Sequence, residues 1–400
     1  MTDQPEAASS SPPPVVCHIT TVHPPFDTRI FHKECRALVE AGYEVHLVAQ
    51  HPRDEVVCGV RIHALPTPSG RIARMLIWPW RAYRKVMAIH PRPVLCHFHD
   101  PELLPLGAVL RLRGLKVIYD VHENVADDLR FKAYMPRWLG AAASLAYRIA
   151  EGILARGVPT VHVLVSIARH YPEPRAVVRN LPILDAGGGA AARPGAGRLR
   201  SRPRLLYVGD VTEERGALVM IRLAAELARR GVDGELRIVG PCREPGVEDR
   251  VREAVRAGGL DDRVVIAGRV PFDRVRGETA AADLGLCFFM PTPNNMNSLP
   301  NKLMEYMAVG LPVVASNFDC WREYVTDTGA GVQVDPQDVP AIADAVQRLL
   351  ADPDLRRRMG ERGREAVESR YSWQREAGKL LAFYRRLIGP AAPTGDNTSR

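Results

Sequence analysis

The chain is 400 residues long, 46% hydrophobic and 25% charged, which is more than one hydrophobic core usually serves and excludes a disordered, collagenous or coiled-coil chain. Its net charge of +8 is uneven: residues 1–182 hold 22 Lys and Arg against 16 Asp and Glu, and residues 183–400 hold 32 against 30, so the basic first half suits an anionic partner. No apolar run approaches the roughly 20 residues of a spanning helix, and residues 1–14 lack the basic and apolar regions of a secretory signal and read as a disordered leader.

Residues 15–22 form an apolar, β-branched run that predicts a buried strand. Residues 30–41 predict a helix with Ile30, Cys35, Leu38 and Val39 on its apolar side. Strands follow at 44–50, 94–99 and 116–122, with a helix over 102–112. Between them, residues 71–85 mix Met75, Leu76, Ile77, Trp78, Trp80 and Tyr83 with five basic residues, interrupted by Pro79. That mixture reads as a core helix with a basic face or, preferably, as a membrane-interface segment. Residues 130–138 repeat the theme weakly. His97 and His99 flank Phe98 in a strand, so both project to one face; packing or acceptor contact is favoured there over a metal pair. Asp100 and Glu102 read as helix-capping acids. Strands at 161–165 and 176–180 close this half.

Residues 185–202, DAGGGAAARPGAGRLRSR, have no apolar periodicity and read as a linker. It separates a domain over 15–184 from one over 203–372, followed by a helix at 373–390 and a disordered tail at 391–400. The second half repeats the alternation, with strands at 204–208, 235–239, 263–267, 284–288 and 312–315. Helices are predicted at 216–230, 249–257, 301–309, 339–351 and 355–369. Short β-branched runs separated by helices predict an α/β fold of two doubly wound parallel sheets. Asp352 and Asp354 read as helix-capping residues rather than metal ligands. The seven cysteines form no C-x-x-C pair and read as buried, reduced thiols of a cytosolic protein.

The richest stretch is residues 297–316, NSLPNKLMEYMAVGLPVVAS. A loop with Pro300 opens a helix, Gly310 suits a left-handed C-cap, and Pro312 leads into a buried strand. The helix start is an anion site suited to a diphosphate. Lys302 lies in the first turn, where a cation is disfavoured by the dipole unless an anion is bound, and Glu305 lies one turn on, placed to accept ribose hydroxyls.

The run EYMAVGLPVVAS resembles the signature of retaining GT-B glycosyltransferases, in particular glycosyltransferase family 4. That family carries two glutamates eight positions apart. Glu305 matches the one that binds the nucleotide ribose, and Asn297 stands where the other contacts the donor sugar. Residues 205–216, LLYVGDVTEERG, are similar to the family's glycine-containing element. Arg215 matches its diphosphate-neutralising residue, and Asp210 stands where an arginine is usual. Residues 120–123, DVHE, look like the first-domain histidine loop, with His122 matching the histidine that faces the donor sugar. Residues 19–34, ITTVHPPFDTRIFHKE, look like the opening of exopolysaccharide and lipid-linked-sugar transferases. The resemblance spans about residues 15–390.

The resemblance implies two Rossmann-like domains facing each other across a cleft. It implies hexosyl transfer with retention from a nucleotide-diphosphate sugar to a lipid-linked or polysaccharide-precursor acceptor. His122, Lys302 and Arg215 are then catalytic, Asn297, Ser298, Asn301, Glu305 and Gly209 touch the donor, and Asp27 and Arg29 touch the acceptor. No metal or cofactor is expected, because fixed positive groups and a helix dipole stabilise the leaving group. The expected setting is cytoplasmic, peripheral on the anionic inner face of the cell membrane. Two competing readings are a nucleotide-sugar 2-epimerase on the same fold and a non-catalytic scaffold subunit. Asn297 and Asp210 favour the scaffold; Glu305, Arg215, Lys302 and His122 oppose it. No nucleic-acid reader motif accompanies the basic composition.

Overall fold

The computed structural model describes residues 12–68, 70–121, 125–130, 136–184 and 202–390. His122 and residues 185–201 of the expected linker lie outside the described residues, as do residues 1–11 of the leader and the tail from 391. The chain forms two compact units, Met1–Asn180 with Gln374–Arg400, and Leu181–Trp373.

The first unit opens with β1 (Val15–Ile19), then a π-helical turn (Ile30–Cys35) that runs into α1 (Arg36–Glu40), and β2 (Glu44–Gln50). The helix expected from residue 30 begins wide because Asp27 organises it. Its Oδ1 accepts from the Arg29 and Ile30 N–H groups, and its carbonyl accepts from both Phe31 and His32. A hairpin absent from the sequence reading follows, β3 (Glu55–Val57) and β4 (Val60–Leu65). Its two-residue turn puts Cys58 at φ 48° and Gly59 at φ 78°, the twist a tight hairpin requires. Next come α2 (Arg71–Leu76), α3 (Trp78–Met87), β5 (Leu95–Phe98), a 3₁₀ turn (Pro101–Leu103), α4 (Leu104–Leu112), β6 (Lys116–Val121), α5 (Val125–Arg130), α6 (Arg137–Leu154), β7 (Thr160–His162), α7 (Val165–Ala168) and β8 (Arg175–Val177). Asp100 does not cap the helix it precedes. Its Oδ2 instead accepts from the Thr20 and Thr21 hydroxyls and from the Thr21 and Val22 N–H groups, closing the loop after β1.

The sheet order is β3-β4-β2-β1-β5-β6-β7-β8, parallel except for the edge strand β3. The chain steps one way from β1 to β2 and the other way from β4 through β7. Right-handed crossovers therefore place α1 on one face and α3, α4 and α6 on the other. Period-2 alternation sorts the side chains accordingly. Cys17, Ile19, Cys96, Phe98, Val117 and Tyr119 pack with Trp78, Leu104 and Leu110 on the second face. His18, His97 and Asp120 lie on the first, and all are buried.

The second unit runs β9 (Arg204–Val208), α8 (Ala217–Arg229), β10 (Glu235–Val239), α9 (Val247–Ala257), β11 (Val264–Gly268), α10 (Phe272–Ala280), β12 (Leu284–Cys287), α11 (Pro293–Met296), α12 (Asn301–Ala308), β13 (Val313–Ser316), α13 (Asp319–Val325), β14 (Gly331–Val334), α14 (Val339–Ala351) and α15 (Pro353–Ser369). Its all-parallel sheet has the order β11-β10-β9-β12-β13-β14. Leu205 and Tyr207 pack under α8 and α14 on one face, while Leu206 meets Tyr306 and Met307 of α12 on the other. Gly285 makes room for that helix, since a Cβ there would sit 2.5 Å from the Tyr306 ring. Asp352 caps α15 as the sequence suggests, accepting from the Leu355 N–H at 2.8 Å. The last helix, α16 (Trp373–Ile388), belongs mostly to the first unit. The thiols are less uniform than expected: Cys58 and Cys320 are exposed, one in the hairpin turn and one in the first turn of α13.

Candidate active site

The site residues of the second unit gather where β9 and β12 end. Helix α12 is fixed there by Tyr306, whose hydroxyl accepts from the Val208 N–H at 2.8 Å just as β9 finishes. Gly310, at φ 69°, then ends the helix, and Leu311 N–H returns to the Tyr306 carbonyl at 2.9 Å. One turn before Tyr306, the Lys302 side chain reaches back over the strand ends. Its Nζ stands 3.8 Å from the centroid of Tyr207 and 5.1 Å from that of Phe289. Lys302 is buried and its ammonium has no hydrogen-bond partner among the described residues. Burial pushes its pKa down to about 8. Gly209 makes this possible: it has φ 131°, and a Cβ on it would lie 2.9 Å from Nζ.

Arg215 lies over the same Phe289 ring at 5.7 Å, so two cations share one aromatic floor. Asp210 partly offsets them, 3.4 Å from Arg215 Nη1, and also accepts from Arg243 Nε at 2.9 Å. Arg243 escaped the sequence reading. It sits in the loop after β10, which ends beside β9 because Val239 is registered with Val208. An acid in the usual place of an arginine is thus met by an arginine from the neighbouring strand end. No side chain caps α12 at Pro300, which leaves its positive end available to an anion.

The loop before α12 is held from within. Asn297 Nδ2 donates to the Pro293 carbonyl at 2.8 Å, Ser298 Oγ to the Asn295 carbonyl at 3.1 Å, and Trp321 Nε1 to the Ser298 carbonyl at 2.5 Å. Asn297, Asn301 and Glu305 are exposed. The structure therefore brings Gly209, Arg215 and Lys302 together around Phe289, with Asn297, Ser298, Asn301 and Glu305 on the loop and helix leading to them. Asp27 and Arg29 belong to the first unit. Asp27 caps the π-helical turn. Arg29 faces inward, with Nε and Nη2 on Asp120 at 3.0–3.2 Å and Nη1 on the Val178 carbonyl at 2.9 Å. A structural ion pair accounts for its donors, which is not the surface display expected of an acceptor contact.

Residues 28–208 match the glycosyl transferase 4-like domain, and residues 202–352 match the glycosyl transferases group 1 family. The chain belongs to the GT4-like glycosyltransferases. Over 191 residues this glycosyltransferase is 34% identical to alpha-D-kanosaminyltransferase of Streptomyces kanamyceticus, an alignment covering 47% of each chain. It is 28% identical over 365 residues to phosphatidyl-myo-inositol mannosyltransferase of Mycolicibacterium smegmatis, covering 88% of both. The fold matches sucrose-phosphate synthase of Thermosynechococcus elongatus with a TM-score of 0.76 at 20% identity, covering 94% of this chain and 99% of that one. The two sheets of the glycosyltransferase thus form the GT-B fold expected from residues 305–316.

A buried ammonium and a guanidinium beside an uncapped helix start can take up a diphosphate. The free Lys302 pKa of about 8 sets a pH dependence. Below pH 8 the ammonium is charged and attracts the anion; above it the anion must be bound together with a proton. The dissociation constant for a nucleoside diphosphate is therefore expected to rise roughly tenfold between pH 7 and pH 9 in the wild type. It should stay flat in Lys302→Arg. Calorimetry at the two pH values checks this, and equal wild-type affinities would remove Lys302 from the anion site.

Proposed function

We propose that the protein moves a hexose from a nucleotide-diphosphate sugar to a lipid-linked or polysaccharide-precursor acceptor, with retention and without a metal at the diphosphate. The observation carrying this reading is the buried, unpartnered Lys302 ammonium beside the uncapped start of α12. In the step, the bond from the anomeric carbon to the β-phosphate oxygen breaks, and the electron pair leaves on the diphosphate. Lys302, Arg215 and the helix N-terminus stabilise that charge from fixed positions. The acceptor hydroxyl attacks on the face the diphosphate leaves, and the departing phosphate oxygen takes its proton. His122, matched to the family histidine, orients the donor sugar. An epimerase or a scaffold is less favoured, because the matched families and the relatives named above are all transferases.

Asn297 and Glu305 address different ends of the donor. Asn297→Ala is expected to slow transfer at least tenfold while leaving the affinity for free nucleoside diphosphate within about twofold. Glu305→Ala should weaken the nucleotide itself by about tenfold, an interaction of 1–2 kcal/mol. Transfer rates paired with nucleotide titrations separate the two. If neither substitution changes either quantity, the donor site lies elsewhere. Transfer should also persist in EDTA, with no gain on adding Mg²⁺ or Mn²⁺; specific restoration by either ion would refute the metal-free account of the leaving group.

We also propose that the first unit rests on anionic lipid. No helix among the described residues is long and apolar enough to cross a membrane. Pro79 does not break a helix but starts α3, and this separates the two tryptophans. Trp78 is 4% exposed with Nε1 donating to the Pro66 carbonyl at 2.9 Å, whereas Trp80 is 60% exposed. Met75, Leu76 and Ile77 lie exposed beside it. Helix α6 adds an unforeseen apolar stripe: Trp138, Leu145, Ile149 and Ile153 project at helical spacing and are all exposed. Helices α3 and α6 flank α4 on the same face of the sheet, and Arg81, Arg84 and Arg137 are exposed among them. Binding to phosphatidylglycerol vesicles should exceed binding to phosphatidylcholine and fall with salt. Trp80→Ala and Trp138→Ala should each reduce it several-fold, with circular dichroism unchanged. Equal binding to both lipids would return this face to an ordinary protein surface.

A further inference from the structure

The first face of the first sheet is buried, yet it holds a cluster of ionisable groups among its apolar side chains. His18 comes from β1, His97 from β5, His99 from the residue after β5, and Asp120 from β6. The π-helical turn brings Arg29 and Glu34 against them, and α16 brings Tyr384. All seven are buried. His18, Glu34, His97 and His99 each offer a ligand atom, and these atoms lie within 4.8 Å of one another.

The remaining atom of each group is held from outside the cluster. Tyr384 Oη is 2.8 Å from His97 Nδ1 and 3.1 Å from His18 Nε2. Asp120 Oδ2 is 3.3 Å from His99 Nδ1, and Arg29 Nε is 3.0 Å from Glu34 Oε1. This leaves His18 Nδ1, His97 Nε2, His99 Nε2 and Glu34 Oε2 directed at one another. His18 Nδ1 and His99 Nε2 are 2.9 Å apart, and each is 3.9 Å from Glu34 Oε2. Donors about 2.0–2.1 Å from a tetrahedral zinc stand roughly 3.3 Å apart, so these spacings bracket that value. His97 Nε2 has no hydrogen-bond partner among the described residues, in a place no solvent reaches. Polar atoms in that state are costly unless something binds them.

We propose that His18, His97, His99 and Glu34 form a buried structural zinc site in the first unit. Three imidazoles and a carboxylate suit zinc, and four protein donors leave no open position for catalysis. Tyr384, Asp120 and Arg29 orient the ligands through their far atoms, as outer partners of metal-bound histidines do. The site would pin α16 to the sheet through Tyr384. It lies in the first unit and is separate from the donor site, so it does not bear on whether the diphosphate needs a metal. Brief EDTA treatment of folded enzyme would not reach it.

The test is metal content. Protein expressed with added zinc and dialysed against chelator is expected to hold about one equivalent of zinc by mass spectrometry. His97→Ala and Glu34→Gln should reduce this about tenfold or more. The double variant His46→Ala/His63→Ala, which removes a histidine pair on β2 and β4, should leave it unchanged. Should the ligand variants fail to fold, wild-type protein unfolded in chelator and refolded with Co²⁺ should show the visible absorption of a tetrahedral cobalt site. Wild-type protein that refolds to a native circular dichroism spectrum without binding zinc or cobalt overturns the proposal. So does zinc content equal in the wild type and in a folded His97→Ala variant.

Discussion

Charge taken out of water must be answered, and in both units it is buried at the carboxyl ends of the central strands. In the second unit the answer is an aromatic floor: Lys302 rests on Tyr207 and Phe289, and no hydrogen-bond partner among the described residues holds its ammonium. Cation–π contact recovers only part of the lost hydration, as the depressed Lys302 pKa records. The other elements of that unit serve this placement. Gly209 leaves the space, Gly285 admits the helix, and the Tyr306 hydroxyl locks the helix to β9. On the proposed reading, an anionic ligand would add counter-charge there and relieve a cost the free domain carries.

The parts of the second unit that a reader of the sequence can recover are those written locally. Residues 297–316 encode their own turn, helix, cap and strand, and Gly310 and Pro312 behave as their chemistry suggests. Asp352 caps α15 for the same reason. Arg243 could not be recovered in this way. Its partner Asp210 lies 33 residues away in sequence, and the two meet only through the parallel pairing of β9 and β10. Strand order, not spacing, determines that contact.

The first unit shows the same limit more strongly. That His97 and His99 share a face follows from period-2 alternation alone. That His18, Glu34 and Tyr384 join them follows from the pairing of β1 with β5, from a widened helix start and from a helix at the far end of the chain, none of which has a local signature. The hairpin at Glu55–Leu65 hid behind Cys58, which takes a left-handed conformation usually left to glycine or asparagine. The two tryptophans of residues 71–85 looked alike because a proline that ends one helix also begins the next. Their opposite fates are set by the first turn of α3.

The return of α16 has a consequence for how the molecule is made. Synthesis proceeds from the N-terminus, and domains generally fold as they emerge. The face holding His18, His97 and Asp120 cannot be covered by Tyr384 until the whole intervening unit has been translated. During that interval His18 and His97 of a nascent first unit lack the Tyr384 hydroxyl that meets them in the folded chain, on a face that also carries Val16, Leu47 and Ile118. An order of assembly is thereby written into the chain: the contact of Tyr384 with this face is made last.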